Sequence, residues 1–287
     1  MSREENKSGI VIMIANQKGG CGKTTITHTL CDILGRYGYK VLGIDMDGQT
    51  HFSMYAGAVS AGEMSQADEK SPTICRALLG ECRIEECIEK KEHFDIARGD
   101  KRMDFAQRVF LEADDQYRLL DAVEIIRRDM DYDFILVDCP PQRGIVQEMA
   151  MVAADYCLIP SFVDYGSISG VINLGKDIVA KKKRNLSHAE ILGIIYGRYR
   201  YTKSDKDSVG ELTAIAEKMG TSLFDICIRD SIAVPDSQKN NQTIQEYQPK
   251  GKAAADYRFI CCQMLERMGI ENKKMKRDVK RDMKQNA

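Results

Sequence analysis

Apolar residues along the chain form short continuous runs, separated by longer stretches in which apolar residues recur at helical spacing. Residues 10–15 form a continuous apolar, β-branched run, which is typical of a strand buried on both faces. A polar, glycine-rich segment follows at residues 16–22, and a helical pattern then runs to Tyr37, where Gly38 ends the predicted helix. A second apolar run at residues 41–44 predicts the next strand.

The same alternation continues until the apolar pattern is lost near residue 270. Strands that alternate with helices predict a parallel sheet with helices on both faces, so the predicted fold class is a doubly wound, mostly parallel α/β domain. We assign residues 1–270 to this domain, residues 271–287 to a basic C-terminal tail and residues 56–70 to a connecting loop. The remaining strands are predicted at residues 134–137, 157–159, 191–196 and 226–228, and the remaining helices at residues 117–128, 167–182, 209–219 and 253–268.

The composition is that of a folded protein, because 43% of the 287 residues are apolar and 30% are charged. The net charge of −1 predicts no strong attraction to nucleic acid, but residues 272–287 carry a net charge of +5. No run approaches the ~18–20 consecutive apolar residues of a membrane span. Residues 1–8 carry no apolar export signal, so we expect a cytoplasmic protein whose ten cysteines are free thiols.

The glycine-rich segment reads KGGCGKTT and lies between a predicted strand and a predicted helix, where phosphate-binding loops occur. Small residues let backbone N–H groups turn towards an anion, and the positive end of the helix adds to the attraction. In this pattern Lys23 contacts the β- and γ-phosphates and Thr24 is a Mg²⁺ ligand. Gln17 stands where the standard pattern has its first glycine, and Lys18 is an additional lysine. The predicted nucleotide-binding residues are Lys18, Gly19, Gly20, Cys21, Gly22, Lys23, Thr24 and Thr25.

Three aspartates follow predicted strands. Asp45 and Asp47 come after the run at residues 41–44, and Asp138 comes after the run at residues 134–137. Because the carboxyl ends of parallel strands meet at one edge of a sheet, we expect these acids to converge on the phosphate loop. One such aspartate could equally be a turn residue or a helix cap, but three of them beside a phosphate loop indicate a site for Mg²⁺ and hydrolysis.

Three motifs together resemble the deviant Walker A ATPases of the ParA/Soj and MinD group, and the ParA/Soj branch is the better match. They are KGGCGKTT at residues 18–25, IDMDGQT at residues 44–50 and ILVDCPP at residues 135–141. The resemblance implies an ATPase that uses ATP and Mg²⁺ and is slow without a partner. It also implies a homodimer that forms on ATP binding, in which Lys18 of one subunit reaches the phosphates bound by the other.

The resemblance also implies roles for single residues. Lys18, Lys23 and Asp47 would be catalytic, and Asp47 would position the attacking water. Gly48 departs from the family pattern, in which proline usually follows the second aspartate. By the same resemblance the metal ligands would be Thr24, Asp45 and Asp138, and the adenine contacts would include Arg198 and Pro235.

Members of the ParA/Soj branch bind DNA without reading its sequence, and a ParB-type centromere-binding protein stimulates their hydrolysis. The resemblance therefore implies plasmid or chromosome partition by a cytoplasmic, nucleoid-associated protein. Cations in a predicted helix end and in the tail are candidates for the DNA contact, because non-specific affinity comes mainly from phosphate neutralisation. These candidates are Lys181, Lys182, Lys183, Arg184, Lys273, Lys274, Lys276, Arg277, Lys280 and Arg281.

Other interpretations of these features stay open. The cations at residues 181–184 would also be favoured by the dipole of a solvated helix end. A MinD-like, membrane-associated ATPase would use the stripe of Met275, Val279 and Met283, but the tail has no Phe, Leu, Ile or Trp anchor, so we expect no membrane partner. An electron-transfer ATPase resembling nitrogenase iron protein is a third possibility.

Overall fold

The centre of the protein is a seven-stranded sheet, seen in a computed structural model that describes residues 9–58, 71–162 and 164–286. The strand order is β3-β4-β2-β5-β1-β6-β7, and all neighbours pair in parallel except β3 with β4. The predicted doubly wound, mostly parallel architecture is confirmed. Most of the predicted connection at residues 56–70 lies outside the described residues. The strands are β1 (Ile10–Ile14), β2 (Val41–Asp45), β3 (Ile88–Lys90), β4 (Asp95–Ala97), β5 (Phe134–Asp138), β6 (Tyr156–Ser161) and β7 (Glu190–Tyr196).

Helices cover both faces of this sheet, and each face has its own apolar cluster. Among the described residues, three short 3₁₀ helices connect the longer elements, at Ile84–Cys87, Lys101–Phe105 and Ala113–Tyr117. None of the helices in the described part of the chain is both long and apolar enough to span a membrane. The α-helices are α1 (Lys23–Arg36), α2 (His51–Tyr55), α3 (Ile74–Leu78), α4 (Ala106–Val109), α5 (Arg118–Asp129), α6 (Ile145–Ala153), α7 (Tyr165–Lys183), α8 (Lys203–Lys218), α9 (Ala233–Lys239), α10 (Ile244–Tyr247), α11 (Lys252–Arg267) and α12 (Lys273–Asn286).

The predicted strand at residues 226–228 is wrong. Ile228 N donates to Tyr196 O of β7 at 2.8 Å, but the segment forms no strand, and isolated bridges form only at the flanking Leu223 and Arg229. Strands β3 and β4 were not predicted, because each has three residues and their mixed polarity gives no clear alternation. Pairing with β2 places β4 in the sheet, and β3 then adds as an antiparallel edge.

The expectation that apolar packing ends near residue 270 is also wrong, because the basic tail forms helix α12 and docks on the core. Met275 is 0% exposed and Val279 is 6% exposed, and both belong to the cluster that contains α1 and α11. Arg258 of α11 donates to Asp282 at 2.8 Å, and the Tyr37 hydroxyl donates to Asp278 at 3.0 Å. Helix α12 is therefore part of the folded domain, with its cations arranged around a narrow buried stripe.

Candidate nucleotide-binding site

The phosphate loop connects β1 to α1, as predicted. Gly20 and Gly22 adopt positive φ angles of 76° and 87°, in the left-handed region where glycine is unstrained. No side chain caps the N-terminus of the 14-residue helix α1, which leaves its first N–H groups to an anion. Burial raises the pKa of the Cys21 thiol, and its Sγ donates to Lys18 O at 3.2 Å, so Cys21 is a small packing residue of the loop.

The two lysines of the loop point in different directions. Lys23 is buried, and its ammonium donates to the carbonyl of Lys18 at 3.1 Å, inside the curl of the loop. The Lys18 side chain is 40% exposed and lies 3.8 Å from Asp164, which caps helix α7 by accepting from Gly166 N. Lys23 thus points into the loop, whereas Lys18 extends along the protein surface.

Two of the predicted acids lie side by side at the carboxyl ends of adjacent strands. Asp45 and Asp138 are paired in the register of β2 and β5, and both are fully buried. The Thr24 hydroxyl donates to Asp138 Oδ2 at 2.7 Å, and Ser53 donates to Asp45 Oδ2 through its N–H and its hydroxyl, at 2.8 and 2.7 Å. Burial raises the pKa of Asp45 to about 7. Burial and the neighbouring Asp45 hold the pKa of Asp138 well above its usual range.

This arrangement fits a divalent cation. Thr24, Asp45 and Asp138 present hydroxyl and carboxylate oxygens, which are the ligand atoms that Mg²⁺ prefers. A cation beside the two carboxylates would also offset the repulsion and desolvation that raise their pKa values.

Asp47 lies in the turn after β2 and is 9% exposed. Its Oδ1 accepts from Gln49 N at 3.1 Å, and its own N–H donates to Asp45 Oδ1 at 3.3 Å. The glycine that replaces the family proline has a packing reason, because a Cβ at Gly48 would collide with the backbone of Asp104. Gln49 also donates to Asp104 Oδ2 at 2.9 Å, so a second loop holds the Asp47 turn in place.

The two predicted adenine residues lie in different elements. Arg198 has a φ of 54° and stacks on the ring of Phe162, 5.6 Å from its centroid. It lines a cleft of about 280 Å³. Pro235 lies in α9 and is not among the residues lining this cleft. Sequence reasoning missed the link between α9 and the phosphate loop, in which Gln238 Nε2 donates to Thr25 Oγ1 at 2.7 Å.

A second contact that sequence reasoning missed joins the phosphate loop to α6 and α7. Gln17 Nε2 donates to Asp177 Oδ2 at 2.9 Å and lies 3.4 Å from Gln147 Oε1. Gln147 is completely buried and donates to Pro140 O at 3.0 Å, while Arg143 donates to the other oxygen of Asp177. These partners are separated by up to 160 positions, so no local sequence signal could have indicated them.

The predicted DNA-binding cations are not all available. Lys181 is 16% exposed and is held by Glu148 and Gln116, at 2.9 and 2.8 Å, whereas Lys182, Lys183 and Arg184 are exposed. On α12, Lys276 pairs with Glu266 and Glu271, and Arg281 pairs with Asp278. The exposed cations of the α12 prediction that form none of these pairs are Lys273, Lys274, Arg277 and Lys280.

Comparisons with known proteins agree with this architecture. A family model described as AAA domain matches residues 9–191. The chromosome partitioning protein ParA of Caulobacter vibrioides is 27% identical over 260 residues, which is 90% of this chain and 94% of that protein. An ATP complex of Cyanothece McdA superposes with a TM-score of 0.79 at 19% identity, covering 93% of this chain and 98% of the other. The Mg-ADP complex of the septum site-determining protein MinD from Pyrococcus horikoshii has a TM-score of 0.69 at 24% identity, covering 88% and 94%. The chain therefore belongs to the AAA-domain family and has the fold of the ParA/MinD-type P-loop NTPases.

Proposed function

We propose that this protein is a partition ATPase that dimerises on ATP, binds DNA without sequence preference and is released when a ParB-type centromere-binding protein stimulates hydrolysis. The observation that carries the proposal is the orientation of the charged side chains around the phosphate loop. Lys23, Thr24 and the paired acids converge on the phosphate loop, while the partly exposed Lys18 side chain lies on the surface beside Asp164, where a second subunit could meet it. The proposed cargo is a plasmid or a chromosome, and the proposed location is the nucleoid in the cytoplasm.

The residues of the site have separate roles in this proposal. Lys23 and the N–H groups of the loop bind the phosphates, and Thr24, Asp45 and Asp138 hold Mg²⁺. When bound, Mg²⁺ neutralises charge on the phosphate oxygens. Asp47 is held by Gln49 N and orients a water towards the terminal phosphate. Lys18 leaves Asp164 and contacts the nucleotide of the partner subunit, so that closure of the dimer completes the site.

DNA binding would use the solvent face of α12 and the end of α7. Because Met275 and Val279 point into the core, Lys273, Lys274, Arg277 and Lys280 face solvent. A row of cations on one helix face suits the backbone of DNA, since each neutralised phosphate adds affinity without reading a base.

The MinD-like alternative is less well supported, because it needs the apolar stripe of α12 to enter a membrane. Two of the three stripe residues are already buried against the protein, and only Met283 is exposed, at 52%. One methionine offers little apolar area to a bilayer, whose surface helices carry several large anchors.

The deciding experiment is co-sedimentation of the protein with random-sequence DNA and, separately, with anionic liposomes, each with ATP and with ADP. We expect ATP-dependent retention on DNA alone, and Lys23→Ala should abolish it because the phosphates lose their buried cation. Replacing Lys273, Arg277 and Lys280 together by Gln should weaken retention on DNA. The matched control replaces three exposed lysines of α8, Lys203, Lys206 and Lys218, by Gln.

Either of two results would contradict the proposal. Retention on liposomes alone would assign the protein to the membrane-associated branch. Equal loss of DNA binding in the α12 and α8 triple variants would show that net charge, rather than the α12 face, governs the affinity.

A further inference from the structure

A continuous chain of polar contacts runs from the nucleotide site to the protein surface. It passes from Pro140 to Gln147, Gln17, Asp177 and Arg143, and we refer to these residues as the relay. Both ends of the Gln147 amide face partners, because its Nε2 donates to Pro140 O and its Oε1 faces Gln17 Nε2. Both oxygens of the Asp177 carboxylate are also used, one by Gln17 and one by Arg143.

The inner end of the relay touches both loops of the site. Gln17 directly precedes Lys18, the first residue of the phosphate loop, and Pro140 lies two positions after Asp138. Gly19, Gly20 and Gly22 have no side chain that could anchor the loop. The side chain of Gln17 supplies such an anchor, at the position where the standard pattern has a glycine.

The outer end of the relay is open to solvent. The Arg143 side chain is 72% exposed, whereas that of Asp177 is 14% exposed. Arg143 lines a cleft of about 260 Å³ between α6 and α7, together with Lys181 and Arg184. The most exposed member of the relay is thus separated from the phosphate loop by a single, largely buried carboxylate.

Loss of Arg143 should weaken the hydrogen bond between Gln17 and Asp177. A carboxylate with little solvent access depends on its hydrogen-bond partners, and a polar network that loses one member changes the geometry and strength of its other bonds. Without Arg143, the Asp177 carboxylate can rotate towards solvent in the cleft. Gln17 then loses its charge-assisted bond, which is the stronger of its two contacts because the Gln147 contact is long.

We propose that Gln17 and Asp177 are positioning residues of the phosphate loop, and that Arg143 sets their geometry from the α6–α7 cleft. The relay acts on the loop that binds nucleotide in the proposed function, but all of its contacts join residues of this chain. It can therefore be tested both with ATP and without it.

The first test is a double-mutant cycle on the affinity for a fluorescent ATP analogue. Arg143 and Gln17 do not touch, so independent residues would give additive effects. We expect Arg143→Ala and Gln17→Ala each to weaken binding by about threefold to tenfold, and the double variant to be no weaker than Gln17→Ala alone. The matched control is Arg128→Ala, which removes a 70%-exposed arginine paired with Asp129 at the end of α5 and should leave the affinity unchanged.

The second test needs no nucleotide. In the amide NMR spectrum of the ligand-free protein, Arg143→Ala should shift the signals of Gly19 and Gly20, and Arg128→Ala should not. If Gln17→Ala fails to fold, Gln17→Met replaces it, because methionine keeps the length of the side chain, loses its hydrogen bonds and still does not touch Arg143. Thermal denaturation of each variant establishes that the fold is retained.

The outcomes separate the relay from the proposed function. Additive effects in the cycle, or unshifted glycine signals in Arg143→Ala, would overturn the relay even if the protein binds ATP and DNA as proposed. If the unmodified protein binds no ATP, the proposed function fails, and the glycine signals alone decide whether the relay exists.

Discussion

Met275 and Met283 lie on the same helix, but only one of them is buried, which provides a sharp test of how α12 is used. Met275 is 0% exposed within the cluster of α1 and α11, and Met283 is 52% exposed. Met275→Ala removes the same atoms as Met283→Ala. The two variants therefore differ only in what surrounds the deleted side chain.

The expected effects differ strongly in size. Truncating a fully buried methionine to alanine costs about 2–5 kcal/mol, because the apolar contacts are lost and a cavity is left behind. An exposed substitution usually changes the free energy of unfolding by less than about 0.5 kcal/mol. For a domain of this size, the loss in Met275→Ala corresponds to a fall in melting temperature of roughly 3–8 °C.

Thermal denaturation followed by circular dichroism, together with urea denaturation, measures both variants against the parent protein. Similar melting temperatures for Met275→Ala and Met283→Ala would refute the packing of α12 and would restore the free basic tail that the sequence suggests. If α12 binds membranes, Met283→Ala should reduce retention on liposomes more than Met275→Ala does.

Three further predictions concern the site and the core. Asp47→Asn should keep ATP affinity and lose at least tenfold in hydrolysis rate, because it changes only the carboxylate that we propose to orient the attacking water; equal turnover in a phosphate-release assay would contradict this proposed role. Lys18→Ala should bind ATP as a monomer, since Lys18 contacts Asp164 rather than its own loop, and light scattering with ATP would reveal any remaining dimer. Burial lowers the pKa of His28 from 6.5 to about 4, so the unfolded chain takes up this proton first as the pH falls. Stability from neutral His28 is therefore present above pH 6.5 and lost towards pH 4, by about 3 kcal/mol in full. The urea midpoint of His28→Leu should fall less over this range, and parallel pH profiles of the two proteins would disprove the effect.

The sequence by itself determined the strands and loops that carry the chemistry. The runs that form β1, β2 and β5 are short, apolar and flanked by polar residues, so their identity is a local property of the chain. Because the carboxyl ends of such strands share one edge, the sequence also predicted that Asp45 and Asp138 converge there, whereas the pairing of β2 with β5 that sets them side by side came from the structure.

Only the tertiary structure decided which distant side chains join that edge. Gln17 meets Asp177 across 160 positions, and Thr25 meets Gln238 across 213, because helices from separate parts of the chain pack against the phosphate loop. Helix α12 is a second case in which the sequence did not predict a tertiary contact. Met275 and Val279 form too narrow a stripe to predict burial, and they are buried because α1 and α11 already provide an apolar surface that fits them. Local pattern thus fixes which segments can form an element, whereas packing decides which of their side chains become part of the core or of the site.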